Sequence, residues 1–289
     1  MAMDKEYYDK YSLKKTSPIG KILIYIFLAA WTVINLFPIY WMFTFSLKDN
    51  SEIFGANVAG LPTKWLWSNY VSAWNTGDMP RFFINSILVT VITILITLIA
   101  SVMATYAVTR IVWKGAKAVN SFFMLGLTIP VHSALIPIYK VLISTKLTNS
   151  YAALILPYAA FSLAMGILIS TGFMQEIPRD IDEAAYIDGC GRWGIFLKII
   201  VPLMKPAVAT VSIYTFLQSW NEFMFASIFN TKSIFMTIPA GVQQLFGSYT
   251  TDWGPIGAAL SIASFPTIFV YIFLNRKIQD SFIAGAVKG

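Results

Sequence analysis

Phe82–Thr109 reads FFINSILVTVITILITLIASVMATYAVT, a run without a single Asp, Glu, Lys or Arg. About 20 mostly apolar residues in a helix cross the hydrocarbon core of a bilayer, so this run reads as a membrane span. Five other stretches pass the same test: Ile22–Leu47, Ala118–Tyr139, Tyr151–Met174, Pro206–Phe229 and Pro255–Asn275. Only the fifth contains an acidic residue, Glu222, and the third contains the chain's one histidine, His132. Pro38, Pro130, Pro137, Pro157 and Pro266 fall inside spans, where neighbouring helices can satisfy the freed carbonyls.

Composition agrees. Of 289 residues 57% are apolar and 12% charged, and mean hydropathy is +0.65. A water-soluble domain carries about 25% charged residues. The expected fold class is therefore an all-α integral membrane protein of six transmembrane helices. One cysteine excludes an internal disulfide framework, and the absence of CxxC, HExxH and G-x-x-x-x-G-K-[ST] leaves no familiar zinc site and no P-loop.

The net charge of +7 invites a nucleic-acid reading, but the distribution of the cations points to topology instead. Of 21 Lys and Arg, fifteen lie in the N-terminal arm, the second and fourth connections and the tail; six lie in the alternate connections. The positive-inside rule then puts both termini in the cytoplasm. The first apolar run is too long for a signal-peptide core and no A-x-A-type site follows it, so a retained helix is expected. The organisation expected is an arm at 1–21, a six-span domain at 22–275 with a long inner connection at 175–205, and a tail at 276–289.

The outer connection, Lys48–Arg81, holds Trp65, Trp67, Tyr70 and Trp74. It reads as an aromatic belt at headgroup level or as a docking surface for an external partner. The inner connection reads QEIPRDIDEAAYIDGCGRWGIFLKIIVPLMK. Pro178 suits a first helical turn, and Asp180, Asp182 and Glu183 complement the positive end of the helix dipole. Ile181, Ala184, Ala185 and Asp188 share one face, and two alanines there leave a surface that another protein can approach closely. Gly189 suits the residue that ends the helix. A second short helix is expected at about Trp193–Ile200, ahead of Pro202 and Pro206. Residues 189–194 match G-x-G-x-x-G, but the strand that a dinucleotide site requires is missing, because a helix is expected before them and a span after.

Glu183-Ala184-Ala185, Gly189, Ile199 and Val201-Pro202 stand at the spacing of the EAA motif, E-A-A-x3-G-x9-I-x-L-P. The sequence thus resembles the permease subunits of bacterial ABC importers, with Val201 in place of the usual Leu. Asn85-Ser86, Trp220-Asn221-Glu222-Phe223 and the ending Ala284–Gly289 are similar to carbohydrate importers, in particular the MalG-like second permease of the maltose-transporter type. Ser281-Phe282-Ile283 departs from that family's Gly-Leu-Thr. The resemblance implies a permease in the bacterial cytoplasmic (inner) membrane, paired with a second homologous permease, two cytoplasmic ATPase subunits and an extracytoplasmic sugar-binding protein. It implies that Glu183, Ala184, Ala185, Asp188, Gly189 and Pro202 belong to a coupling helix seated on the ATPase. It implies that the tail, with Gly285, Lys288 and Gly289, reaches the ATPase interface, and that the loop Asn230–Gly254 reaches the binding protein. No cofactor is expected in this chain, since ATP and Mg would be held by the ATPase; no catalysis and no nucleic-acid partner are expected.

Inside the membrane, Gln218, Trp220, Asn221 and Glu222 are the candidate pathway or gate residues. An ionisable group at mid-membrane costs roughly 2.5–3.5 kcal/mol on insertion scales and so faces a bundle interior or water. Amides, a carboxylate and aromatic faces suit a sugar, although in maltose-type relatives the other permease can supply most substrate contacts. His132 is expected to hydrogen-bond a freed carbonyl, and Cys190 to be an ordinary loop thiol. The alternatives are an ABC permease for a non-sugar solute and a stand-alone secondary transporter, which would carry more intramembrane carboxylates and paired broken helices.

Overall fold

The computed structural model describes residues 18–246 and 251–286, the last helix beyond residue 273 as backbone alone. Among the described residues the chain is helical and has no strand. The helices that position the site are α1 (Pro18–Phe45), α2 (Ser68–Asn75), α3 (Met79–Thr109), α4 (Ala116–Leu125), α5 (Leu135–Ser144), α6 (Ala152–Glu176), α7 (Asp180–Ile187), α8 (Arg192–Ile195), α9 (Lys205–Trp220), α10 (Met224–Phe229) and α11 (Trp253–Ala286). Four helices are long and apolar enough to cross a membrane, namely α1, α3, α6 and α11. The number rises to six if each of two bent pairs counts as one span. The end of the bundle that carries the 177–205 connection is called the lower end below, and the opposite end the upper.

The helices associate by turning their small and hydroxylated residues inward. On α3, Ser86, Thr90, Thr93, Thr97, Ser101 and Thr105 are buried, while Ile84, Ile87, Val91, Leu95 and Ile99 face out. The same stripe appears on α6 (Ala159, Ser162, Gly166, Ser170) and on α9 (Ala207, Val211, Thr215, Ser219). Lipid tails are as apolar as leucine, so large aliphatic side chains gain nothing by leaving them, and close backbone packing through small residues holds the bundle. Gly166 shows how close that approach is: a Cβ there would meet the Ser101 Cβ at 3.0 Å. α3, α6 and α9 form this packed centre, and α11 lies against α9, α2 and α1. α1 is otherwise bare, with none of its most apolar window buried.

Three expected spans take a different form. The third is broken: Gly126–Thr128 and Val131–Ala134 are 3-10 turns, and the helices on either side of Pro130 are bent by 94°. Proline disfavours helical backbone in the residue before it, and Ile129 is extended at φ −81°, ψ 119°. The fifth ends at Trp220 rather than Phe229, and α10 follows a break at 221–223. The sixth runs on helically to Ala286, so the expected tail is helical backbone over 276–286, Gly285 included. Lys288 and Gly289, like the N-terminal arm through residue 17, lie outside the described residues.

Candidate functional site

At the lower end, α6 stops at Glu176, and Ile177 ahead of Pro178 is extended at φ −79°, ψ 119°. Asp180, Asp182 and Glu183 occupy the first turn of α7, where the free N–H groups favour anions. The helix ends as its glycine demands. Gly189 sits at φ +84°, its N–H donates to the Tyr186 carbonyl at 3.1 Å, and the Cys190 N–H donates to the Ala185 carbonyl at 2.9 Å. This paired closure is a Schellman motif, which requires a left-handed residue after the cap. The chain then enters α8, widens into a π-helical turn over Phe196–Ile200 and bends by 71° at Met204 into α9.

The expected alanine face divides. Ala185 is buried with Met174, Ile195, Ile200, Met204 and Ala207, so its small side chain brings α7 close to the chain's own core and not to a partner. Ala184, Glu183, Asp188, Gly189 and Pro202 are exposed. So are Tyr186 (70%), Ile187 (84%) and Trp193 (66%), a cluster of large apolar side chains beside the acidic first turn.

Two arginines fasten this segment. Arg110, at the C-terminus of α3, donates through Nη2 to the carbonyls of Met174 (2.7 Å) and Ile177 (2.5 Å). Its Nη1 pairs with Asp182 Oδ2 at 3.1 Å, and its side chain is 4% exposed. In return, Arg179 Nη2 donates to the Thr109 carbonyl at 3.1 Å. Two helix C-termini, of α3 and α6, thus meet, with each guanidinium donating to carbonyls at the end of the other helix. Sequence reasoning counted Arg110 only as a topology charge.

Nearer the upper end, Glu222 lies in the break between α9 and α10. Its carboxylate accepts the N–H groups of Phe225 (2.9 Å) and Ala226 (3.1 Å) and the Tyr158 hydroxyl (2.6 Å). It is half-buried and borders a cavity of about 70 Å³ that Ser162, Tyr214, Gln218 and Ser219 also line. Gln218 donates to the Tyr214 hydroxyl at 3.0 Å, and Asn221 donates to the Leu217 carbonyl. Trp220 departs from the expected group: it is 4% exposed, donates to the Ala263 carbonyl at 3.0 Å and packs on Phe216 and Phe83, a role in the core and not on a pathway wall. His132 is exposed and edge-on to Phe225 at 6.0 Å, in place of the expected carbonyl hydrogen bond. Tyr158, which no sequence signal singled out, proves to be Glu222's partner. Cys190 is a free, half-buried thiol.

At the upper end, Asn85-Ser86 acquires a role. Asn85 donates to the carbonyls of Ile234 and Met236, both at 2.9 Å, and accepts from Tyr151; Ser86 accepts the Ile238 N–H at 2.8 Å. They fix the described start of the 230–254 loop on α3. Lys48 is fully buried, and its ammonium donates to the carbonyls of Asn57, Val58 and Gly60. Nearby, slight burial pushes the Glu52 carboxyl up, but hydrogen bonds from the Thr63 N–H, Asn57 and the Thr63 hydroxyl outweigh it and hold its pKa below the usual 4.5. Trp65 stacks on Trp67, which meets Tyr70 at a tilt, and both tryptophans are about half exposed. No cluster of three or more metal-ligating side chains occurs among the described residues.

The model of a family described as "Binding-protein-dependent transport system inner membrane component" matches residues 96–283. The chain is 36% identical over 275 residues to a Bacillus subtilis protein named "Probable ABC transporter permease protein YurM", covering 94% of this chain and 90% of that protein. It is 33% identical to the sulfoquinovosyl glycerol transport system permease protein SmoH of Agrobacterium fabrum, covering 93% and 95%. It is 32% identical to the trehalose/maltose transport system permease protein MalG of Thermococcus litoralis, covering 94% and 98%. In fold it is similar to a chain of a bacterial ABC transporter that imports the acidic polysaccharide alginate, with a TM-score of 0.78 at 19% identity, covering 92% and 98%.

Proposed function

This chain belongs to the family of binding-protein-dependent transport system inner membrane components, and we propose that it is one of two permease subunits in an ATP-driven sugar importer. It is a non-catalytic membrane subunit: ATP and Mg belong to the ATPase it works with. In this reading it sits in the bacterial cytoplasmic membrane with six spans, the third and fifth of them broken, and with both termini inside. It pairs with a homologous permease, two ATPase subunits and an external sugar-binding protein. The relatives that support a sugar cargo carry it in their names: sulfoquinovosyl glycerol, diacetylchitobiose and trehalose/maltose.

One observation carries the mechanism. α7 hangs below the bundle between Pro178 and the left-handed Gly189, showing an acidic first turn and the exposed side chains of Tyr186, Ile187 and Trp193. A short helix with exposed apolar anchors suits a groove on another protein. Glu183 is placed to accept a charge-assisted hydrogen bond from a basic residue of the ATPase. Ala184 allows close approach, Asp188 and Gly189 shape the turn, and Pro202 begins the return into α9. When the ATPase dimer closes, α7 is carried with it, and its packing on Met174, Ile195 and Met204 moves the lower ends of α6 and α9. The Glu222 break is where α9 and α10 can change their angle, with Gln218 and Asn221 exposed beside it as gate residues. In this reading Gly285, Lys288 and Gly289 serve the ATPase interface, although Lys288 and Gly289 lie outside the described residues. The loop Asn230–Gly254, held at Ile234, Met236 and Ile238 by Asn85 and Ser86, meets the binding protein.

The test is to purify the tagged chain from its native membrane and assay the associated ATPase with the binding protein and a panel of mono-, di- and oligosaccharides. An ATPase that copurifies and is stimulated by a loaded sugar-binding protein supports the reading. A chain that purifies without any ATPase refutes it, and stimulation by a non-sugar solute alone refutes the cargo.

A further inference from the structure

Arg110 spans a joint. The chain passes from α6 to α7 through Ile177–Pro178, where the backbone is extended and lies outside both helices. Arg110 grips both sides of that joint: the Met174 and Ile177 carbonyls before it and Asp182 after it. It does so from α3, a different span, with its guanidinium almost fully buried. Arg179 crosses the other way, from just after the joint to the last carbonyl of α3.

We propose that Arg110 is a positioning residue for energy coupling: it locks α7 to α3 and α6, so that a displacement imposed on α7 reaches two spans instead of being absorbed at Ile177–Pro178. The inference rests on the coupling role of α7 given above and adds to it the element through which the motion passes. The physical case is specific to arginine. A planar guanidinium offers donors in a fixed fork, which matches two carbonyls on one side and a carboxylate on the other. Burial raises the strength of each bond and removes water as a substitute. A lysine supplies the charge but not the fork, and glutamine supplies neither the charge nor the reach. Asp182 Oδ1, buried and without a hydrogen bond, adds local negative charge that the guanidinium offsets.

The lock predicts a mutant that hydrolyses without transporting. In the complete complex of this chain, its partner permease, the ATPase and the binding protein, reconstituted in nanodiscs, spin labels are placed at Val112→Cys and Asp180→Cys with Cys190→Ser. Both labelled positions are exposed and lie on either side of the lock. With Arg110 present, the distance between the labels stays the same in the nucleotide-free state and after trapping with ATP and vanadate. In Arg110→Gln, trapping shifts or broadens it by several ångströms, and binding-protein-dependent stimulation of hydrolysis falls roughly tenfold or more while basal hydrolysis persists. Arg110→Lys recovers part of that stimulation. Asp182→Asn, which removes only one of the partners, loses less, and its loss does not add to that of Arg110→Gln. An unchanged label distance in Arg110→Gln, or full stimulation of its ATPase, overturns the proposal; so does a loss that lysine does not relieve, which marks a purely structural residue. If the wild-type complex itself shows no ATPase bound near α7, the coupling reading fails first and the lock fails with it.

Discussion

Ile187→Ser tests the docking face where a fold defect cannot imitate the result. Ile187 is 84% exposed, so the unpartnered chain gains almost nothing from its side chain. If α7 enters a groove on the ATPase, that side chain becomes buried, and burying an isoleucine is worth about 1.5–3 kcal/mol. At about 1.4 kcal/mol per factor of ten, the serine variant should bind the ATPase roughly tenfold to a hundredfold more weakly. The assay strips the ATPase from the purified permease pair, then titrates it back with wild-type and variant permeases immobilised side by side. The variant should also keep the wild-type melting temperature, because it removes no contact within the chain. Two results would refute the reasoning. Unchanged affinity means that Ile187 stays in solvent in the complex, and a lowered melting temperature without ATPase means that it is packed in the free subunit.

Other positions give independent checks. Glu222→Ala strands the buried Tyr158 hydroxyl, a cost of about 1–3 kcal/mol, whereas Glu222→Gln keeps an acceptor; thermal melts should rank Gln above Ala, and Tyr158→Phe should relieve part of the alanine defect. Gly166→Leu drives a side chain into Ser101 and Thr97, and overpacking of about 1–3 kcal/mol should lower the melting temperature and separate α3 from α6, read by cross-linking. Asn85→Ala frees the Ile234 and Met236 carbonyls, so the 234–238 segment should become sensitive to protease and binding-protein stimulation of hydrolysis should weaken. For Glu52 the folded pKa is depressed, so its hold on Asn57 and Thr63 is complete above the ordinary 4.5 and is lost as the pH falls through the folded value. Tryptophan fluorescence from Trp65 and Trp67 should change in that acid range, and Glu52→Gln should abolish the change.

Composition reveals the spans because lipid demands apolarity on all sides, and it reveals little of how they pack. The hydroxyl stripe Ser86, Thr90, Thr93, Thr97, Ser101, Thr105 is visible at helical spacing, yet a hydropathy average hides it beneath the isoleucines around it. Prolines show the same boundary. Pro38, Pro157 and Pro266 stay inside continuous helices, while Pro130 breaks its span. α7 was legible almost to the residue, since Pro178, the acidic first turn and Gly189 are local signals. Which way its alanines face was not, because Ala185 is turned inward by residues as distant as Met204 and Ala207. Arg110 reads as one more inner cation until its acceptors, 64 to 72 residues away, come into view.

If α7 sits below the membrane against an ATPase, thiol labelling of Tyr186→Cys in a Cys190→Ser background will reveal it, with a membrane-impermeant maleimide applied to oriented vesicles. Labelling should occur from the cytoplasmic side in membranes stripped of ATPase, with protection once the ATPase is restored. Labelling from the outer side, or equal labelling with and without the ATPase, would contradict it.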